Sequence, residues 1–172
     1  MQILRKGRKP PLVILFFSIN TIALAQKIEI KGDSLFVNSE KITKQTTLKS
    51  LENFLGKPDR KFSKANTIWT YDNLGLMIYI DPSNSMLRSI EFEFKKENFD
   101  FTPRKTYQGS FMIYGANISE KTSIANLKEI KELNFEYSVL QMYSFTTSYL
   151  LLTLEYSDNM TRLESVGIAF KE

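Results

Sequence analysis

The chain has no cysteine and no histidine, and only one tryptophan, five prolines and seven glycines in 172 residues. Without histidine or cysteine there is no Ser-His-Asp or Cys-His nucleophile system, no imidazole base and no ordinary zinc site. No disulfide can form, so burial must supply the stability of the fold. No glycine-rich phosphate loop or dinucleotide fingerprint occurs. We therefore expect no metal and no cofactor. Aromatic residues make up 13% of the chain, which with modest Gly and Pro argues for ordered β-structure. One catalytic class survives these absences, because a glycosidase needs only two carboxyl groups at a set separation. Asp72, Asp81, Glu91 and Glu93 are the candidates for it.

Residues 1–25 read as a secretory signal peptide. Arg5, Lys6, Arg8 and Lys9 form a basic start, Leu12 to Leu24 is apolar, and Ala23-Leu-Ala25 offers small residues to a signal peptidase. The apolar run is too short to span a bilayer, so no stable membrane insertion is expected after cleavage before Gln26. The expected location is outside the cytoplasm, periplasmic or secreted. The formal charge of +4 resides in those four basic residues, which leaves a neutral mature chain. A neutral chain lacks the positive field that nucleic acid requires. Lys57, Arg60, Lys61 and Lys64 read as a solvated loop beside a helix C-terminus.

The stretch Ile42 to Asp59 has the marks of a short amphipathic helix. Thr46 or Thr47 can cap it, Leu48, Leu51, Phe54 and Leu55 share a face, and Gly56 and Pro58 end it. Its first ten residues recur in kind at Ile118 to Leu127, an offset of 76. The same register aligns Leu35-Phe-Val37 with Phe111-Met-Ile113, Leu76/Ile78/Ile80 with Leu152/Leu154/Tyr156, and Leu87 to Phe94 with Leu163 to Phe170. One register over four segments points to a fused duplication. The expected fold is α+β: two tandem β-α-β-β-β copies form one antiparallel sheet of roughly eight strands, with a helix from each copy on one face. The expected boundaries are 26–94 for the first copy, 95–108 for a polar connection and 109–172 for the second, in one compact domain. The second helix is expected over Thr122 to Asn134, and one strand over Tyr137 to Phe145.

Thr47, Leu51, Leu55, Gly56, Pro58, Trp69, Tyr71 and Gly75 follow a run that resembles the SmpA/OmlA small envelope lipoproteins and the β-lactamase-inhibitor-protein-like fold. The inhibitor proteins are themselves tandem copies of a helical segment packed on an antiparallel sheet. The resemblance implies that architecture and a protein-binding role without catalysis. It covers one copy well and the second weakly, since the second lacks Leu-Gly-x-Pro and carries Phe145 where Trp69 stands. The lipid-bearing cysteine of the lipoproteins is absent.

Strand alternation places Leu76, Ile78 and Ile80 toward the core, and Met77 and Tyr79 away from it. Glu91, Glu93, Leu151, Thr153 and Glu155 share that outer side. Tyr and Met beside acidic residues suit contact with another protein. These seven residues are the expected binding face of an exported, non-enzymatic module whose protein partner is unknown. The rival expectation is a carboxylate-dependent hydrolase acting on cell-surface glycan. Trp69, aligned with Phe145, is expected in the core.

Overall fold

The structure is a computed structural model that describes residues 26–64 and 66–171. The expected signal segment lies outside the described residues. Among those residues are thirteen strands and two helices, in two sheets.

The first sheet is built from short strands joined by tight turns. Strands β1 (Lys27–Lys31) and β2 (Ser34–Val37) form a hairpin, and β3 (Glu40–Ile42) follows. Val37 pairs with Glu40, leaving the two-residue turn Asn38-Ser39, with φ of 49° and 73°. Positive φ at both turn residues matches the right-handed twist of the flanking strands. Strands β8 (Ser110–Ile113) and β9 (Ala116–Ile118) repeat the device at Tyr114-Gly115, φ 49° and 84°. The order is β3-β2-β1-β8-β9, with β1 antiparallel to β2 and parallel to β8. Ile28, Ile30, Leu35, Val37, Phe111 and Ile113 are buried on one face, while Lys27 and Lys31 are exposed.

The second sheet is fully antiparallel and has eight strands. In spatial order it runs β10 (Glu136–Tyr137), β11 (Met142–Thr146), β12 (Leu150–Tyr156), β13 (Leu163–Phe170), β7 (Leu87–Glu93), β6 (Leu76–Ile80), β5 (Thr67–Tyr71) and β4 (Arg60–Ser63). Its central seam pairs β7 with β13, where Glu91 faces Gly167 and Ile90 faces Ile168. The inner face carries Trp69, Tyr71, Ile78, Ile90, Phe92, Phe145, Leu152, Leu154, Val166 and Ile168. The rings of Phe92 and Phe111 stack at 5.2 Å and join the two sheets. One apolar cluster therefore fills the space between them.

Two sheets correct the expected single sheet flanked by helices. Helix α1 (Leu48–Leu55) buries only Leu51 and Leu55, and α2 (Ile124–Lys128) only Leu127. That is too little apolar surface to cover eight strands, so the five-stranded sheet covers them instead. The caps of α1 follow the sequence reading: the Thr47 hydroxyl accepts from Ser50 N at 3.1 Å, and Gly56, at φ 82°, donates to Glu52 O at 2.9 Å. Helix α2 is five residues long rather than running to Asn134. After Lys128 the chain continues in three-residue turns, Ile130 N to Leu127 O and Leu133 N to Ile130 O. Ile130 and Leu133 remain buried, because an i, i+3 spacing is served by successive turns as well as by an α-helix.

The expected connection 95–108 is an Ω-shaped loop laid on the outer face of the large sheet. It leaves at Lys95, whose N–H donates to Glu164 O, and returns where Tyr107 N donates to Glu93 O at 2.6 Å. Between these points it is held over β4 and β5. Arg60 Nη2 donates to Thr102 O at 2.7 Å, and Arg60 Nη1 donates to Asp100 O. Thr70 Oγ1 donates to Phe101 O at 2.7 Å. Arg60, expected in a solvated loop, stands in β4 and is clamped by both Asp72 oxygens, Nε to Oδ2 at 2.9 Å and Nη2 to Oδ1 at 2.5 Å. Burial alone would raise the Asp72 pKa, but these bonds and the Arg104 amide outweigh it and hold the carboxyl below its ordinary range.

Candidate functional site

The outer face of the large sheet is organised in cross-strand rows. One row is Thr70, Met77, Glu91, Gly167, Thr153 and Ser144; the next is Glu93, Ser165, Glu155 and Met142. Over one part of these rows the Ω-loop and the β10–β11 turn enclose a cleft of about 420 Å³. Phe99, Phe101 and Thr102 form one wall, Leu140 and Gln141 the other, and the glutamates stand on the floor. The rims are apolar and open to solvent: Phe99 is 62% exposed and Leu140 77%. Phe99 stacks on Phe101 at 5.6 Å, which fixes that wall.

Five of the seven expected contact residues line this cleft: Met77, Tyr79, Glu91, Glu93 and Glu155. Leu151 and Thr153 do not; they stand half-buried on the neighbouring part of the face. Met77 is 1% exposed. It pairs with Thr70, over which the Ω-loop is bonded, so it belongs to the cleft floor and is not an accessible contact. Thr153 Oγ1 occupies the space above Gly167, 2.6 Å from where a Cβ would stand. A glycine at the seam thus leaves room for the side chains of its two neighbours in the row, Thr153 and Glu91.

Charge in the cleft is lopsided. Six carboxylates and one ammonium, Lys95, line it. Lys95 is engaged by Glu164 at 2.9 Å and Glu97 at 3.3 Å. Glu93 is 8% exposed, and among the described residues its carboxyl makes no hydrogen bond or ion pair. Burial pushes its pKa up to about 7, and the charges of Glu91, Glu97 and Glu155 add to the shift while Lys95 opposes it. Burial also raises Glu91, with the Tyr79 hydroxyl acting the other way and Glu155 adding. A largely buried carboxyl resists ionisation here because Lys95, bonded to Glu97 and Glu164, does not replace the water that Glu93 lost.

The other sequence candidates have structural roles. Asp81 accepts from Ser83 N and Oγ at 2.8 and 2.6 Å in its turn, and these bonds lower its pKa. Asp72 is committed to Arg60. Trp69 is buried in the core, with Lys61 Nζ 4.0 Å from its ring centre. Among the described residues no group of three or more acidic residues is placed to hold a metal ion, and no helix is long and apolar enough to cross a membrane. The sequence reading missed both walls. Phe99 and Phe101 were available as a signal, two aromatics at alternate positions within a polar segment. Leu140 and Gln141 were hidden inside an expected continuous strand, which breaks at their positive φ of 49° and 61°.

No curated protein matches this chain. Among solved structures, a cysteine-rich secretory protein from Staphylococcus aureus is similar at 9% identity and a TM-score of 0.44. The match covers 73% of this chain and 42% of that one, so this chain spans less than half of its length. Residues 27–128, which carry the five-stranded sheet, the first half of the large sheet and the Ω-loop, match a family model described as a domain of unknown function, and the chain belongs to that family, DUF7738.

Proposed function

We propose that this protein is an exported, non-enzymatic binding module that holds a protein partner in the cleft between the Ω-loop and the β10–β11 turn. The observation that carries the reading is the cleft itself: unpaired acidic groups on the floor and solvent-exposed Phe99 and Leu140 on opposite rims. Large apolar side chains held in the open by fixed backbone are typical of contact surfaces. Export rests on the basic start and Ala23-Leu-Ala25. The fine architecture belongs to the same reading, as a fused duplication. In support of it, β2 to β7 recur as β8 to β13 at the 76-residue offset, and the seam pairs Glu91 with its own counterpart Gly167. A rotation far from 180° between residues 34–93 and 110–169 would sink the duplication. The likeness to SmpA/OmlA lipoproteins and inhibitor-type folds supports a binding role by analogy only.

The test is a photo-crosslinking residue at position 99 or 140 in the producing organism, with exposed Lys49 as control. The expected result is a discrete adduct from positions 99 and 140 and none from 49, on a chain that begins at Gln26. Equal or absent adducts at all three positions would refute the cleft as the site, and a retained Met1 would refute the leader.

A carboxylate-dependent hydrolase is the second reading, favoured by Glu93 titrating near neutrality in the same row as Glu155, two strands away. Two strand spacings put their backbones about 10 Å apart. Hydrolysis of a cell-surface glycan that is lost in both Glu93→Gln and Glu155→Gln would establish it.

A further inference from the structure

We infer that the cleft takes a basic side chain, arginine or lysine, presented between apolar residues by a segment of the partner protein. This rests on the cleft being the binding site and adds the chemistry of what enters it. Glu93 carries the inference. It is nine-tenths buried, it lines the cleft, and nothing among the described residues pairs with it. A buried carboxylate is stable only when a cation or several donors replace its water. Glu91 lies two residues away on the same side of β7, and Glu155 shares the row of Glu93. Neither has a cationic partner among the described residues, because Lys95 is committed to Glu97 and Glu164. The floor therefore offers three carboxyl groups and no counter-charge.

The walls decide which cation fits. Phe99 and Leu140 flank the floor with apolar surface, and Tyr79 presents a ring beside Glu91. A free inorganic cation would leave that apolar surface wet. A guanidinium suits both parts: its fork of donors matches a carboxylate, and its weakly hydrated plane packs on aromatic faces. Apolar neighbours of the basic residue would then cover Phe99 and Leu140.

The probes are three blocked tripeptides, Leu-Arg-Leu, Leu-citrulline-Leu and Leu-Glu-Leu, together with spermidine. Each is titrated into the purified, 15N-labelled exported protein and followed by amide shifts. Leu-Arg-Leu is expected to shift amides of residues 91–97 and 140–141. The citrulline peptide keeps the shape without the charge and is expected to bind about tenfold more weakly or less. Glu91→Gln with Glu93→Gln should remove the same factor for the arginine peptide and leave the citrulline peptide unaffected. Equal binding of arginine and citrulline, no loss in the double variant, or no binding of the arginine peptide would each overturn the proposal. Spermidine binding without the tripeptide would also overturn it, by making the occupant a free polyamine. Crosslinks at 99 and 140 with no preference for arginine would leave the cleft as a binding site and remove only the basic partner.

Discussion

Glu93→Gln is expected to melt higher than the parent at pH 8 and at nearly the same temperature at pH 4. The Glu93 carboxyl ionises near 7 in the folded chain, against an ordinary value of 4.5. Between those values the native state holds a proton that the unfolded state has released. Stability contributed by this group therefore falls as pH rises from about 4.5 to about 7, and stays low above that. The full effect is on the order of 3 kcal/mol, since each tenfold change in proton affinity is worth about 1.4 kcal/mol. That corresponds to roughly 10 °C in melting temperature for a domain of this size. Glutamine has no charge to bury, so the variant should lose most of this slope. Glu91, shifted in the same direction, should retain part of it. Asp72 acts with the opposite sign. Its lowered pKa gives stability that is present above its unfolded value and lost as pH falls through its folded one, so acid unfolding should set in below about pH 4. Thermal melts of both proteins from about pH 2 to pH 8 check all of this. A variant no more stable than the parent at pH 8 would show that Glu93 carries no such penalty. The substitution that stabilises the chain is also the one expected to weaken capture of a basic residue, a conflict common at sites kept for function.

Gly75→Ala should be among the most damaging single substitutions. Gly75 has φ of 70°, and a Cβ there would stand 2.1 Å from Tyr107 N, 2.3 Å from Thr106 C and 2.5 Å from Tyr107 Cα. All three are backbone atoms at the point where the Ω-loop returns to the sheet. A left-handed alanine costs about 1–2 kcal/mol and overpacking a further 1–3 kcal/mol or so, together roughly 3 kcal/mol. Gly32→Ala is the control, since Gly32 has φ of 56° and nothing within 4 Å of a Cβ. It should show the backbone cost alone. If the two variants unfold at the same denaturant concentration, the loop is not seated on Gly75. If the loop is seated there, Gly75→Ala should also loosen the wall carrying Phe99 and weaken the arginine tripeptide.

Local periodicity made much of the large sheet readable. Strict alternation at Ile90, Phe92 and Phe94, and at Leu152, Leu154 and Tyr156, assigned the buried face correctly. The caps of α1 were readable because Thr47 and Gly56 each act within one turn. What escaped was set by distant contacts. Strands β3 and β9 have three residues each, too few for a pattern, and exist because tight turns return them to a neighbour. Strand β4 was obscured by its basic residues. Arg60 reads as solvated until Asp72, twelve positions on, is brought beside it. Which residues share the floor of the cleft was legible from alternation alone. The walls were not, because a loop's course over a sheet depends on bonds such as Thr70 to Phe101, 31 positions apart.

The strands also grade in length from the middle of each sheet to its margins. At the rims are β3 and β9 with three residues each, β10 with two and β4 with four. At the centre of the large sheet, β7 and β13 have seven and eight. Unpaired strand edges invite addition of foreign strands, and short or charged edges discourage it. This chain therefore shows the outside few backbone groups to pair with and keeps its longest ladders internal. Residues 26–94 and 109–171, if separated, would each lay bare one long strand, β7 or β13, at the former seam. The polypeptide between them, fastened to β4 and β5 by Arg60 and Thr70, does more than connect: it keeps the two seam strands turned toward each other and away from other proteins.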